Sequence, residues 1–328
     1  MTAELQLDPA SPLQFVINAA AGSNDAEMKR EVIESVLHAE GRRGDLHFCA
    51  PAELAPVAVG SARQALATRT AVVAVGGDGT LNTVAQAAHA AGCAMGVVPQ
   101  GTFNYFARTH GIPADPAEAV RLLLRSVPTP VQVAGINDRV FLVNASLGLY
   151  PDLLEDREAY KARFGRSRWV AFMAAFATLF RAQRRLRLHI KVSGTVRRVQ
   201  TLTLFVGNNH LQLQQLGAEP LDTVAGTPGQ GSLAALVLKP IGTLSMMGLM
   251  LQGAMGRLGE AAGVESFEFE QLLVQPRLAH GRRRVKVAFD GEVTMMQTPL
   301  DLRVLAKPLY LLGPQRSAGA SEAGPEVA

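Results

Sequence analysis

The stretch Ala71–Ala91 reads AVVAV, then GGDGT, then LNTVAQAAHAA. Its opening residues are small and apolar, with Val at 72, 73 and 75, which suits a strand buried on both faces of a parallel sheet. Gly76, Gly77 and Gly79 follow, letting the chain turn sharply and bring backbone N–H groups close to a ligand. The remainder is rich in Ala, Leu and Gln and predicts a helix closed by Gly92. Strand, glycine loop and helix N-terminus together make an anion site, because free N–H groups and the helix dipole both favour phosphate. Asp78 stands inside this loop. A carboxylate among phosphates repels them unless a cation lies between, so Asp78 points to Mg2+ or to a polar role. A tight turn with no ligand would carry the same glycines. The loop is neither a dinucleotide fingerprint, since Asn82 stands at the third glycine's place, nor a Walker A loop, since no Gly-Lys-Ser/Thr follows.

Outward from this stretch, strands are expected at Leu13–Ile17, Asp45–Cys49 and Ala94–Val98, with helices over 24–39, 52–68, 103–108 and 117–125. Asn24 with Glu27 forms the capping box of the first helix. This alternation predicts a parallel sheet with helices on both faces. Right-handed crossovers set all strand C-ends on one edge, where ligands of open α/β sheets bind. The loops Asn18–Ser23, Gly76–Asn82 and Pro99–Asn104 gather there, and three small-residue loops after three strands are a stronger signal than any one alone.

A chain of 328 residues is long for one core and predicts two domains, and 48% hydrophobic residues fit a globular protein. Cys49 and Cys93 offer neither metal spacing nor a disulfide framework, which fits a reducing cytoplasm. The N-terminus MTAELQLDPASP lacks the regions of a signal peptide, and no apolar run reaches a spanning length. The net charge of +4 favours an acidic partner, a nucleotide or an anionic membrane, without choosing between them.

The pattern changes near Pro128-Thr-Pro130. Strands are expected at Val131–Ile136, Val140–Ser146, Leu186–Val192, Val196–Val206, Leu233–Leu238, Phe267–Val274 and Arg284–Phe289, which predicts a β-rich second domain, a sandwich. Two helical insertions interrupt it, at 155–185 and 241–255. The first has an apolar core, Trp169–Phe180, followed by Arg181, Arg184, Arg185 and Arg187: an amphipathic helix packed on its own domain, or a contact with an anionic membrane surface. Met residues in the second suit a core helix or an adaptable apolar pocket. The basic run Arg282–Lys286 has few aromatics near it, so nucleic acid is not an expected partner. Asp290-Gly291-Glu292 is either a hairpin turn or a functional carboxylate pair, one member holding a metal while the other takes a hydroxyl proton. Residues 313–328 lack apolar periodicity and read as a disordered tail.

GGDGTLN at Gly76–Asn82, PQGTFNYFAR at Pro99–Arg108, NAAAGS at Asn18–Ser23 and DGE at Asp290–Glu292 resemble the bacterial diacylglycerol kinase catalytic-domain family, itself similar to sphingosine and ceramide kinases. Asn144–Gly148, Lys161, Gly165 and Val206–Asn208 agree more weakly. The resemblance implies an α/β domain over 1–132 that binds ATP, with about 302–312 packing back on it, and a β-rich lipid-substrate domain over 133–301. It implies ATP-dependent phosphorylation of a lipid hydroxyl such as that of diacylglycerol, with Mg2+, and transient membrane contact by a cytoplasmic protein peripheral at the inner membrane face. A homodimer is compatible with it. Asn18, Gly76, Gly77, Asp78, Gly79, Thr80, Leu81, Asn82, Gly101, Thr102 and Asn104 would hold the nucleotide, with Asp78 at the metal. Cys49 lies where the family has a nucleotide-contacting Thr. Glu292 would be the general base, with Asp290 beside it. The chain departs from the family pattern at Thr83 (for Glu), Tyr105 (for Asp), 211–215 (for a glycine-rich turn) and Gln230 (for Asp). A kinase for a soluble hydroxyl compound, as NAD kinases are, and a nucleotide-binding regulator without catalysis are the alternatives.

Overall fold

The computed structural model describes residues 5–20, 26–148, 151, 186–192, 195–208, 231–238, 264–277 and 283–314. Gly22, Ser23, the Asn24 cap, both helical insertions with Lys161 and Gly165, residues 211–215, Gln230, Arg282 and residues 315–328 lie outside them. The chain divides into two compact units, 1–131 with 309–328, and 132–308.

The first unit is built on β1 (Leu13–Asn18), β2 (Gly44–Cys49), β3 (Ala71–Gly76) and β4 (Ala94–Pro99), parallel and ordered β2-β1-β3-β4. Every residue of β3 and β4 is buried, as their unbroken apolar character requires. Helices α1 (Ala26–Ala39) and α5 (Pro116–Arg125) pack together, as do α2 (Leu54–Ala67) and α3 (Asp78–Ala91). A short helix, α4 (Tyr105–Thr109), follows β4. α5 starts where local chemistry dictates: Asp115 Oδ1 accepts the Glu118 N–H at 2.9 Å, and Pro116 occupies the first turn. α3 ends on Gly92, whose φ of +83° is the left-handed cap anticipated from the sequence.

Two further strands complete this sheet. β18 (Leu309–Leu312) lies parallel to β4, and β5 (Pro128–Val131) lies antiparallel to β18 at the edge. The sheet is therefore mixed. Pro128 and Pro130, which mark a change of pattern in the sequence, are strand residues here, tolerated because an edge strand can forgo N–H donors.

The second unit is a sandwich of two antiparallel sheets. One has the order β10-β9-β14-β17-β6-β7, comprising β6 (Ala134–Ile136), β7 (Arg139–Phe141), β9 (Leu186–Val192), β10 (Thr195–Thr201), β14 (Gln271–Pro276) and β17 (Leu300–Val304). The other has the order β13-β12-β11-β8-β15-β16, comprising β8 (Asn144–Gly148), β11 (Thr203–Gly207), β12 (Leu233–Leu238), β13 (Val264–Phe269), β15 (Arg284–Phe289) and β16 (Glu292–Gln297). Leu188, Ile190, Leu272 and Leu302 from the first sheet share one core with Leu147, Leu204, Ala235 and Val287 from the second.

Four expected strands are each two strands, and the breaks have a common cause. Val131–Ile136 divides where the chain passes from the first unit's sheet into the second unit. Val140–Ser146, Val196–Val206 and Phe267–Val274 divide where the chain crosses from one sheet of the sandwich to the other. At the second of these crossings the Thr201 hydroxyl bonds the carbonyls of Thr203 and Leu238 and accepts the Thr203 N–H. Gly148 is required there: its φ is +95°, and a Cβ would lie 2.3 Å from the Leu202 carbonyl oxygen. The returning segment also differs from the expected 302–312. Leu300–Val304 pairs within the sandwich, and Leu309–Leu312 alone joins the first sheet.

Candidate functional site

The registers Asn18↔Cys49, Ile17↔Val75 and Gly76↔Pro99 bring the ends of the four parallel strands level on one edge. The three expected loops leave from that edge. Gln100 donates its N–H to the Gly76 carbonyl at 2.8 Å, so the second and third loops are joined at their roots.

The glycines there are explained by crowding. Gly77 has φ −85° and ψ −175°, ordinary extended backbone, so it does not serve a left-handed turn. A Cβ on Gly77 would sit 3.3 Å from the Gly101 Cα, and a Cβ on Gly101 would sit 2.8 Å from the Gly77 Cα. The two loops touch backbone to backbone. A Cβ on Gly76 would fall 2.5 Å from Thr80 Oγ1. Thr80 is buried and receives the Asn18 Nδ2 hydrogen bond at 3.1 Å, while Asn18 Oδ1 accepts the Ala20 N–H. Asn18 thus ties the first loop to the first turn of α3. Lys29, buried in α1, reaches the Asn18 carbonyl at 3.4 Å, a support that sequence reading missed because a lysine in a helix reads as surface.

α3 begins at Asp78 with Gly77 as its cap, and Gly77 has no side chain to cover the first N–H groups. Leu81, buried, returns its N–H to the Gly77 carbonyl, and Asn82 is buried beside it. Thr83 turns its hydroxyl back to the Gly79 carbonyl at 3.0 Å. In the Pro99–Asn104 loop Asn104 takes a left-handed φ of +48° and closes a ring with Gly101, accepting its N–H and donating to its carbonyl, both at 2.8 Å. Thr102 is exposed. Phe103 and Tyr105, flanking Asn104, are both exposed and stack with centroids 5.4 Å apart and planes within 3°.

Asp78 is held beneath this loop. Burial pushes its carboxyl above the usual carboxylate range, and the backbone N–H groups of Asn104 and Tyr105 pull it the other way. Its Oδ1 is buried with no hydrogen-bond partner. Such an oxygen lacks a donor or a cation. Among the described residues there is no group of three or more His, Cys, Asp or Glu able to hold a metal. A carboxylate oxygen of this kind is a donor of the type that suits Mg2+.

Cys49 ends β2 at the same strand edge. Its thiol is buried against the Ile17 carbonyl, 3.5 Å away, and burial pushes its pKa up. Its carbonyl is also engaged, by the Ala19 N–H.

In the second unit, Asp290 and Gly291 form the two-residue turn between β15 and β16, with Phe289 opposite Glu292. Their φ values of +46° and +85° are both left-handed, as the tightest hairpin turn demands. Asp290 does more than turn. Its Oδ2 accepts the Leu142 N–H at 2.7 Å, and its Oδ1 accepts those of Val143 and Asn144 at 2.8 and 3.1 Å. Its own N–H goes to the Asn144 carbonyl at 3.0 Å. From the other side Asn208 donates its N–H to the Val143 carbonyl and its amide to the Leu142 carbonyl, and Gln132 holds Asn208. Every backbone group of the 142–144 crossing is thereby met. Asp290, 5% exposed, anchors this crossing through both carboxylate oxygens. Glu292 is open to solvent, but the protein around it pushes its carboxyl above the usual range while Arg139 draws it down. Of the two carboxylates it alone is available to take a proton.

Residues 12–136 match the family model of the diacylglycerol kinase catalytic domain. The chain is similar to a protein described as "Probable lipid kinase YegS-like" from Klebsiella pneumoniae (strain 342), 33% identical over 159 residues, which are 47% of this chain and 52% of that protein. It therefore spans about half the length of that relative. A protein of the same description from Pseudomonas aeruginosa (strain UCBPP-PA14) is 43% identical over 79 residues, 24% of this chain and 26% of that one. In fold it resembles a solved structure described as a diacylglycerol kinase from Bacillus anthracis str. Sterne, with a TM-score of 0.68 at 20% identity, covering 92% of this chain and 97% of that one.

Proposed function

We propose that the chain is a member of the diacylglycerol kinase catalytic-domain family, whose model matches residues 12–136, and that it is an ATP-dependent kinase transferring the γ-phosphate to a lipid hydroxyl, diacylglycerol being the first acceptor to test. One observation carries the reading: Gly77 and Gly101 meet backbone to backbone beside an α3 N-terminus that no side chain caps. A contact that close requires glycine at both positions, and the uncapped N-terminus of α3 beside it offers N–H groups to a phosphate.

In this reading the N–H groups at the start of α3 receive the phosphates, Asn18 and Thr80 fix that turn, and Asn104 fixes the facing loop. Asp78 is the residue that would hold Mg2+, which supplies neutralisation of phosphate charge when bound. The lipid oxygen forms a bond to the γ-phosphorus as the bond to the bridging oxygen breaks and ADP leaves. The hydroxyl proton passes to the Glu292 carboxylate. A base whose pKa is raised by partial desolvation accepts that proton more readily than a fully hydrated one.

Incubation with γ-labelled ATP, Mg2+ and vesicles of mixed lipids tests it. Label should enter the organic phase, on a lipid that names the acceptor. Label transferred to a water-soluble compound without vesicles would move the assignment to a soluble acceptor. The second reading, nucleotide binding without catalysis, is favoured by Thr83, whose hydroxyl is spent on its own helix where the family has a carboxylate. Tight ATP binding with no transfer to any acceptor would select it.

A further inference from the structure

The β9–β10 hairpin carries Arg187, Lys191, Arg197 and Arg198 and no acidic residue. Those four charges equal the net charge of the whole chain, +4 from 32 basic and 28 acidic residues, so the rest of the chain balances to zero. β10 is the terminal strand of its sheet. The register places Lys191 opposite Val196, His189 opposite Arg198 and Arg187 opposite Gln200, and residues directly opposite share a face. Leu188 and Ile190 alternate with them and are buried in the core. Arg187, Lys191 and Arg198 therefore share the outer face, and Arg197, on the other face, is exposed at the sheet edge. Exposed Arg277 follows beside them, its N–H on the Arg187 carbonyl. Among the described residues none of the four hairpin cations makes an ion pair, whereas Arg303, further along the same sheet, is paired with Asp301. Val196, 63% exposed, is apolar in the midst of this charge.

We propose that the outer face of the β9–β10 hairpin docks on an anionic lipid bilayer. Charge complementarity selects the occupant: exposed cations on a sheet face suit a plane of anionic headgroups, each Lys or Arg adding to the attraction. An exposed valine suits the interfacial layer and has no use against a polyanion. Nucleic acid is disfavoured because the hairpin has no aromatic residue on which bases could stack. The inference stands apart from the catalytic reading, since docking needs neither nucleotide nor turnover.

Sedimentation of the full chain with vesicles tests it, without nucleotide, comparing phosphatidylcholine with phosphatidylcholine containing phosphatidylglycerol. The protein should bind only the anionic vesicles and be released as ionic strength rises. Arg187→Gln, Lys191→Gln and Arg198→Gln, on the docking face, should each weaken partitioning about fivefold and the triple variant on the order of a hundredfold, while Arg197→Gln, on the other face, should cost less. Arg187→Lys with Arg198→Lys should retain it. All these side chains are exposed, so circular dichroism should match wild type. Undiminished binding by the triple variant, or equal binding of wild type to neutral vesicles, overturns the proposal. So does retention on duplex DNA or on an acidic protein with no binding to anionic vesicles.

Discussion

Replacing Asp290 by Asn separates the two meanings that Asp-Gly-Glu carries. Asn tolerates a left-handed φ as Asp does, so the turn itself survives. What changes is the acceptor count. Asp290 meets three backbone N–H groups at 2.7, 2.8 and 3.1 Å in a buried site. An amide keeps one acceptor oxygen and turns N–H donors toward the rest. At least one backbone N–H then loses its partner, at about 1–3 kcal/mol for each buried donor left unmet. A loss of about 2–4 kcal/mol follows, since the Asn208 side of the crossing remains in place. The unit concerned spans 132–308, for which each kcal/mol moves the melting temperature by about 2–4 °C. Thermal unfolding followed by circular dichroism should therefore fall by roughly 5–15 °C. Glu292→Gln, two residues away and open to solvent, should leave the melting temperature within about 2 °C. Equal stability of Asp290→Asn and wild type, or equal loss in both variants, would refute this division of labour.

Gly101→Ala should lower ATP affinity at least tenfold by calorimetry, because its Cβ would strike backbone at 2.8 Å, while Gly77→Ala, with 3.3 Å available, should cost less. Asp78→Asn should weaken nucleotide binding and flatten its Mg2+ dependence, since it removes the charge from a buried oxygen with no other partner. The acid limb of the pH–rate profile should lie above that of a free glutamate, because a raised pKa means that Glu292 loses its basic form as pH falls through that higher value. Gly148→Ala should destabilise the sandwich by more than about 2 kcal/mol in urea denaturation, its φ and its contact with the Leu202 carbonyl both excluding a side chain.

The α/β unit was legible because its information is local. The small apolar residues at 72–75 and 97–98 are buried on both sides, and the cap at Gly92 acts within a few residues. The three loops could be read as a group because parallel topology fixes which strand ends share an edge. The sandwich was legible as a class and not in its breaks. Residues 142–143 look like strand interior, and what interrupts them is a carboxylate almost 150 positions later. For the same reason the letters Asp-Gly could not say whether Asp290 was turn, ligand or anchor. Gly77 was read as a turn glycine, whereas its requirement is the approach of Gly101, a contact between loops that local sequence does not encode. Gln132 and Asn208 were hidden too, since a polar residue beside a strand reads as solvated until its partner is known.

Transfer of labelled γ-phosphate to vesicle lipid, run for wild type and Glu292→Gln with ATP affinity determined for both, bears most directly on the proposed mechanism. Wild type should label a lipid, and Glu292→Gln should bind ATP as tightly while transferring about 10²–10⁴-fold more slowly. Equal rates in the two would contradict the role given to Glu292, and ATP binding without lipid labelling by wild type would contradict the kinase itself.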